Sequence, residues 1–190
     1  MVKVIARLIL LSPILFFNYA FADGVISKPK VPYYAWGQCI GEGCGVTNGH
    51  DVEINGEADV YSERNLQSKV KFQLNSGDKV TGISQHIVVR KLGIVKVINS
   101  FSAHVEIPDK KVGSIHKELK FKAGDTIYEI YPTSEGYSLF WYKGVLFWDN
   151  AENRPVKVIS YSDFDEWQKV KNKKGQFGWA INLPYWGERA

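Results

Sequence analysis

Two stretches of this chain repeat one pattern around a Gly-Asp pair. They are Phe72-Gln-Leu74-Asn-Ser-Gly77-Asp78-Lys-Val80-Thr-Gly-Ile83 and Leu119-Lys-Phe121-Lys-Ala-Gly124-Asp125-Thr-Ile127-Tyr-Glu-Ile130. In each, an apolar pair at period two enters the Gly-Asp turn and a second alternating stretch leaves it, which predicts two short strands folding back on each other. A unit written twice restricts the chain to a small β-structure made in duplicate. The pattern assigns no chemistry.

The ends and the charge balance narrow the setting. Lys3 and Arg7 precede the apolar run Leu8 to Phe17, and Ala20-Phe21-Ala22 offers small side chains at both positions a signal peptidase reads. Residues 1–22 are therefore expected to be a secretory signal peptide, cleaved before Asp23, with a mature protein that is periplasmic or secreted. The apolar run is about ten residues long and contains Pro13, against roughly twenty for a spanning helix, so no integral membrane segment is expected after cleavage. Lys3 and Arg7 are two of the 24 basic residues, which leaves 22 against 20 acids. That balance lacks the basic footprint of a nucleic-acid binder. All six tryptophans lie beyond Ala22, as a packed core or a ligand face requires.

The only cysteines, Cys39 and Cys44, sit in Gly37-Gln-Cys-Ile-Gly-Glu-Gly-Cys-Gly45, where glycine lets the backbone turn sharply. In an oxidising compartment they are expected to form a local disulfide. A loop this short constrains the unfolded chain by only about 2 kcal/mol, so the bond pins an N-terminal arm, residues 23–50. The competing reading, a metal site with His50, lacks a fourth ligand of suitable spacing. No metal or cofactor is expected.

Along the arm, Tyr33, Tyr34 and Trp36 read as aromatic anchors. Strands are expected over Asp51 to Ile54 and Ala58 to Tyr61, with a polar loop from Ser62 to Ser68 before the first Gly-Asp unit. His86 to Arg90 and Ile94 to Ile98 read as a hairpin around Gly93. From Phe101 to Ile107 alternation places Phe101, Ala103, Val105 and Ile107 on one face, with His104 exposed on the other. Tyr137 to Tyr142 and Val145 to Trp148 flank Lys143-Gly144 as a further hairpin, followed by a strand at Val156 to Tyr161. Asp163 to Glu166 reads as a helical turn, since acids suit the start of a helix. A last hairpin turns at Asn172-Lys-Lys-Gly175. The class is all-β.

The segment Ala58-Asp-Val-Tyr-Ser-Glu-Arg-Asn, with Ser68-Lys-Val, Leu74-x-x-Gly77-Asp78-x-Val80, Trp167-x-x-Val170 and Gly175-x-x-Gly178-Trp179, resembles the bacterial SH3-like domain of exported and cell-wall proteins. In that family the first blocks and the last stand close together, whereas here Ile83 and Trp167 are far apart. The resemblance therefore implies a small SH3-like barrel over residues 51–184, with a second SH3-like barrel, residues 84–162, inserted between its first strands and its closing hairpin. Residues 185–190 are a tail. It also implies a non-catalytic binding module that contacts a cell-wall peptide or another exported protein. In such barrels aromatic side chains line a shallow groove for extended peptides, and Tyr61, Trp167 and Trp179 fall at the corresponding places.

No strong catalytic signature is present: there is no Gly-x-Ser-x-Gly, phosphate loop, paired-histidine zinc motif or calcium loop. Asp163, Asp165 and Glu166 would suit a glycosidase only if spaced across a cleft, and adjacent in sequence they read as a solvated helix start. Lys169, Lys171, Lys173 and Lys174 read as solubilising residues that blunt an exposed strand edge, against the sharper reading of a contact to anionic wall polymer. His50, His86 and His116 have no evident partner. Two alternatives stand beside the peptide-binding module: an interaction or inhibitor protein that presents the disulfide loop, and an unrecognised cell-wall hydrolase.

Overall fold

The computed structural model describes residues 28–36, 49–109, 111–133 and 136–186, and among them the chain is all-β with no α-helix. The disulfide expected between Cys39 and Cys44 lies outside the described residues, as does the expected signal peptide. In chain order the first strands are β1 (Tyr33–Trp36), β2 (Asp51–Ile54), β3 (Ala58–Tyr61), β4 (Val70–Leu74) and β5 (Lys79–Lys91). Then come β6 (Gly93–Val97), β7 (Phe101–Asp109), β8 (Gly113–Phe121), β9 (Thr126–Pro132), β10 (Ser138–Tyr142), β11 (Val145–Asp149) and β12 (Val156–Ser160). The chain ends with β13 (Asp163–Asn172), β14 (Phe177–Ile181) and β15 (Tyr185–Trp186).

These strands form two antiparallel sheets, ordered β15-β2-β5-β13-β14-β3-β4 and β12-β6-β9-β10-β11-β7-β8, with β1 added along β5 of the first. With β1 set aside and the strands counted along the chain within each sheet, both run in the spatial order seventh, first, fourth, fifth, sixth, second, third. The topologies are identical. The inner unit, β6 to β12, enters between the fourth and fifth strands of the outer one. Strands β4, β5, β13 and β14 thus share a sheet across the long insertion.

The duplication extends to single bonds. Gly77 N donates to Ile54 O and Ile54 N to Asp78 O, both at 2.8 Å; Gly124 N donates to Val97 O at 2.8 Å and Val97 N to Asp125 O at 3.0 Å. In each turn glycine adopts a positive φ, 87° at Gly77 and 86° at Gly124, which only glycine takes without steric cost. The aspartate side chain then accepts from the backbone three residues back, Asn75 N at 2.8 Å and Lys122 N at 3.3 Å. The turns therefore dock on the end of each unit's first strand. This corrects the expected hairpins: β4 does not pair with β5, nor β8 with β9. Alternation reveals a strand and its inward face but not the partner that takes its backbone hydrogen bonds.

Two further expectations are corrected. β5 and β6 belong to different sheets, because Leu92, buried, and Gly93 carry the chain from one unit to the other. Asp163 to Glu166 begins a strand, where the ladder to β5 supplies the backbone partners a helical turn would have used. Neither sheet pairs its end strands, so the sheets remain open where closed barrels were expected. β15 is two residues long, too short for a closing ladder.

Two core clusters sit at matching positions: Ile54, Val60, Leu74, Val80 and Val170 in the outer unit, and Val97, Val105, Phe121, Ile127 and Phe140 in the inner one. A third cluster joins the units. Ala35, Ile87, Val89 and Leu92 from the outer side meet Ile130, Tyr131 and Leu139 from the inner, with Trp141, Trp148 and Phe164 packed around them.

Candidate binding groove

Period two along β5 divides its residues between two faces. Gln85, Ile87 and Val89 face inward and are buried, while His86, Val88 and Arg90 face out. Register then builds the outward face row by row. Trp36 lies opposite His86 and His86 opposite Trp167; Tyr34 lies opposite Val88 and Val88 opposite Asp165. One row further, Tyr61 pairs with Trp179 and Trp179 with Lys169. The loop Ser62 to Gln67 borders this face and completes a groove of about 790 Å³, lined also by Tyr34, Val88, Arg90, Asp165, Trp167 and Trp179.

The expected residues Tyr61, Trp167 and Trp179 are brought together here. Tyr61 meets Trp167 edge to face with ring centres 6.1 Å apart, a favoured aromatic geometry. Trp167 is 4% exposed and forms the floor, whereas Trp179 is half-buried and keeps a face toward the groove.

Sequence reasoning missed the group around Trp179. Trp36 is 52% exposed, stacks on Tyr34 with centres 5.5 Å apart, and with Trp179 brackets His86, whose ring lies 4.7 Å from Trp36 and 4.9 Å from Trp179. The Arg64 guanidinium sits 4.0 Å from the Trp36 ring centre and 5.0 Å from that of Trp179, and its Nη1 donates to His86 Nδ1 at 2.8 Å. Arginine carries donors only, so Nδ1 is the acceptor and His86 is neutral with its proton on Nε2. Burial lowers the His86 pKa from its ordinary 6.5, and the charges of Arg64 and Lys169 lower it further. Lys169 Nζ lies 5.8 Å from the Trp179 ring centre. Besides Trp179 itself, the sequence marked Tyr34 and Trp36 only as aromatic anchors of the arm, and Arg64 only as part of the Ala58 to Asn65 block, with no role of its own.

That loop is built to hold its shape. Asn65 Oδ1 accepts from Gln67 N at 2.9 Å, Ser68 N donates to Asn65 O at 3.0 Å, and Ser62 N donates to Lys69 O at 2.8 Å. At the far end of the groove Arg90 binds both Asp163, at 2.8 Å, and Asp165, at 2.9 Å. Burial raises the Asp165 pKa, as does the charge of Asp163, against the opposing effect of Arg90. The two aspartates thus share one arginine at that end of the groove.

The lysines are corrected as well. β13 is an interior strand, paired on both sides, so Lys169 and Lys171 blunt no edge. Lys171 lies over Phe177, and only Lys173 and Lys174 are exposed turn residues. Among the described residues no group of three or more His, Cys, Asp or Glu is placed to hold a metal ion.

The inner unit supplies a comparison within the molecule. The row Tyr61, Trp179, Lys169, Ser84 corresponds by register to Glu106, Trp148, Leu139, Tyr131. In the inner unit Trp148, Leu139 and Tyr131 are packed against the outer unit's Ile87 and Val89. Among the described residues the same face is therefore covered in one copy and open in the other. No family model matches this chain, and neither a curated protein nor a solved structure matches it.

Proposed function

We propose that this protein is an exported, non-catalytic binding module of SH3-like type that holds an extended peptide of the cell envelope in the groove over β5, β13 and β14. The observation that carries the reading is the contrast between the two copies of one face. In the inner unit its Trp148, Leu139 and Tyr131 are packed against the outer unit; in the outer unit it is lined by aromatic and charged side chains and, among the described residues, left open. Aromatic side chains at the centre of a small interface are the usual anchors of binding energy, and a preshaped groove lowers the ordering cost of holding an extended chain.

The test is co-sedimentation of the mature protein with purified peptidoglycan, alongside Trp179→Ala, with melting of each protein checked first. The wild type is expected in the pellet, and Trp179→Ala to lose about 2 kcal/mol, roughly a thirtyfold change in affinity. A wild type that stays in the supernatant at every wall concentration overturns the wall reading and leaves an exported protein as the partner. A folded Trp179→Ala that sediments like the wild type overturns the groove.

A further inference from the structure

Among the groove's charged groups, Arg64 is held as a ligand-binding arginine would be, and we propose that it receives a carboxylate of the bound peptide. The inference rests on the groove being the binding site. Two indole faces and His86 fix the guanidinium plane, and the Asn65 turn fixes the loop that carries it. An arginine has five N–H donors in a rigid fork matched to a carboxylate. The bond to His86 uses one, and the rest of the fork is available to a ligand.

Charge points the same way. The groove's Asp165, with Asp163, is taken by Arg90, and among the described residues no ion pair involves Arg64, although Glu63 lies beside it in the loop. Lys169 adds a second cation at Trp179. A cationic ligand is disfavoured twice: Arg64 already fills the space between Trp36 and Trp179, and Lys169 holds a second positive charge at Trp179. An anion entering here gains a charge-assisted contact to a side chain whose ordering cost is already met by the fold.

Peptidoglycan stems offer carboxylates, and these can be removed without dismantling the polymer by coupling them to ammonia with a carbodiimide. The experiment compares binding to native and amidated peptidoglycan for the wild type, Arg64→Ala and Arg64→Gln, each first shown to melt like the wild type. Amidation is expected to weaken the wild type roughly tenfold to a hundredfold, the range of a lost hydrogen bond to a charged group. Both variants should show that loss already on native material and no further loss on amidated material. Equal binding of the wild type to the two materials overturns the carboxylate while leaving the groove intact, as does an Arg64→Ala loss that is the same on both. A wild type that binds neither material overturns the wall reading and this inference with it, an outcome distinct from the other two.

Discussion

His86 shows how a single side chain takes its character from neighbours distant in sequence. It lies between Trp36 and Trp179, accepts from Arg64, and has Lys169 from β13 and Arg64 from the loop as the cations facing it. Tyr34 is stacked on Trp36, Glu63 belongs to the same loop as Arg64, and Arg90 and Asp165 line the groove further along. Because the folded His86 pKa is lowered below 6.5, the unfolded chain takes up a proton first as pH falls. The contribution of His86 to stability is therefore full above that value and is lost as pH falls from it through the folded pKa. Urea unfolding at pH 7.5 and 5.5 should show a lower midpoint at the acid end, and His86→Gln should reduce that difference. An unchanged difference in the variant would assign the pH effect to other groups.

At the scale of elements, the joint between the sixth and second strands matters most to the groove. It is a single residue pair in each unit, Trp179 with Tyr61 and Trp148 with Glu106. Beside Trp179, Gly178 lies so close to β3 that a Cβ there would stand 2.4 Å from Val60 Cγ1 and 2.8 Å from Tyr61 O. Gly178→Ala should therefore push β3 away from β14 and destabilise the fold by about 1–3 kcal/mol, the usual range for overpacking. Chemical denaturation measures this, and a variant as stable as the wild type would show that the joint yields freely. Gly175-x-x-Gly178-Trp179 was visible in the sequence as a motif. That Gly178 makes room for Val60 was not, because the two are brought together only by strand order.

At the scale of the molecule, the nested arrangement makes the outer unit dependent on both ends of the chain. Removing everything after Ser162 takes away β13, which lies between β5 and β14, and with it Trp167, Val170 and Trp179. A small unit with a single core has little area to spare. In a chain ending at Ser162, hydrogen exchange should show protection lost at Val60 and Val80 and kept at Val105, Phe140 and Phe147, because the seven inner strands are all retained. Protection that persists at Val60 and Val80 would contradict the dependence of the first half on the last.

What the sequence determined by itself was local. Alternation and turn chemistry marked the all-β class, the strands at Asp51–Ile54 and Ala58–Tyr61, most of the strand that begins at Phe101 (read as far as Ile107), the hairpins at Lys143-Gly144 and Asn172 to Gly175, and the duplication around Gly77 and Gly124. Those signals sit within a few residues, where side-chain period and backbone preference act directly. Partner choice was decided only in three dimensions. A β-strand's hydrogen bonds can be met by any strand of suitable register, so nothing local to β4 showed that it pairs with β3 and not β5. The groove shares that origin: Tyr34, Trp36, Arg64, His86 and Trp179 come from four segments. The register of β1 and β13 on β5, and the span of the Ser62 to Gln67 loop above them, are what bring those five side chains onto one face.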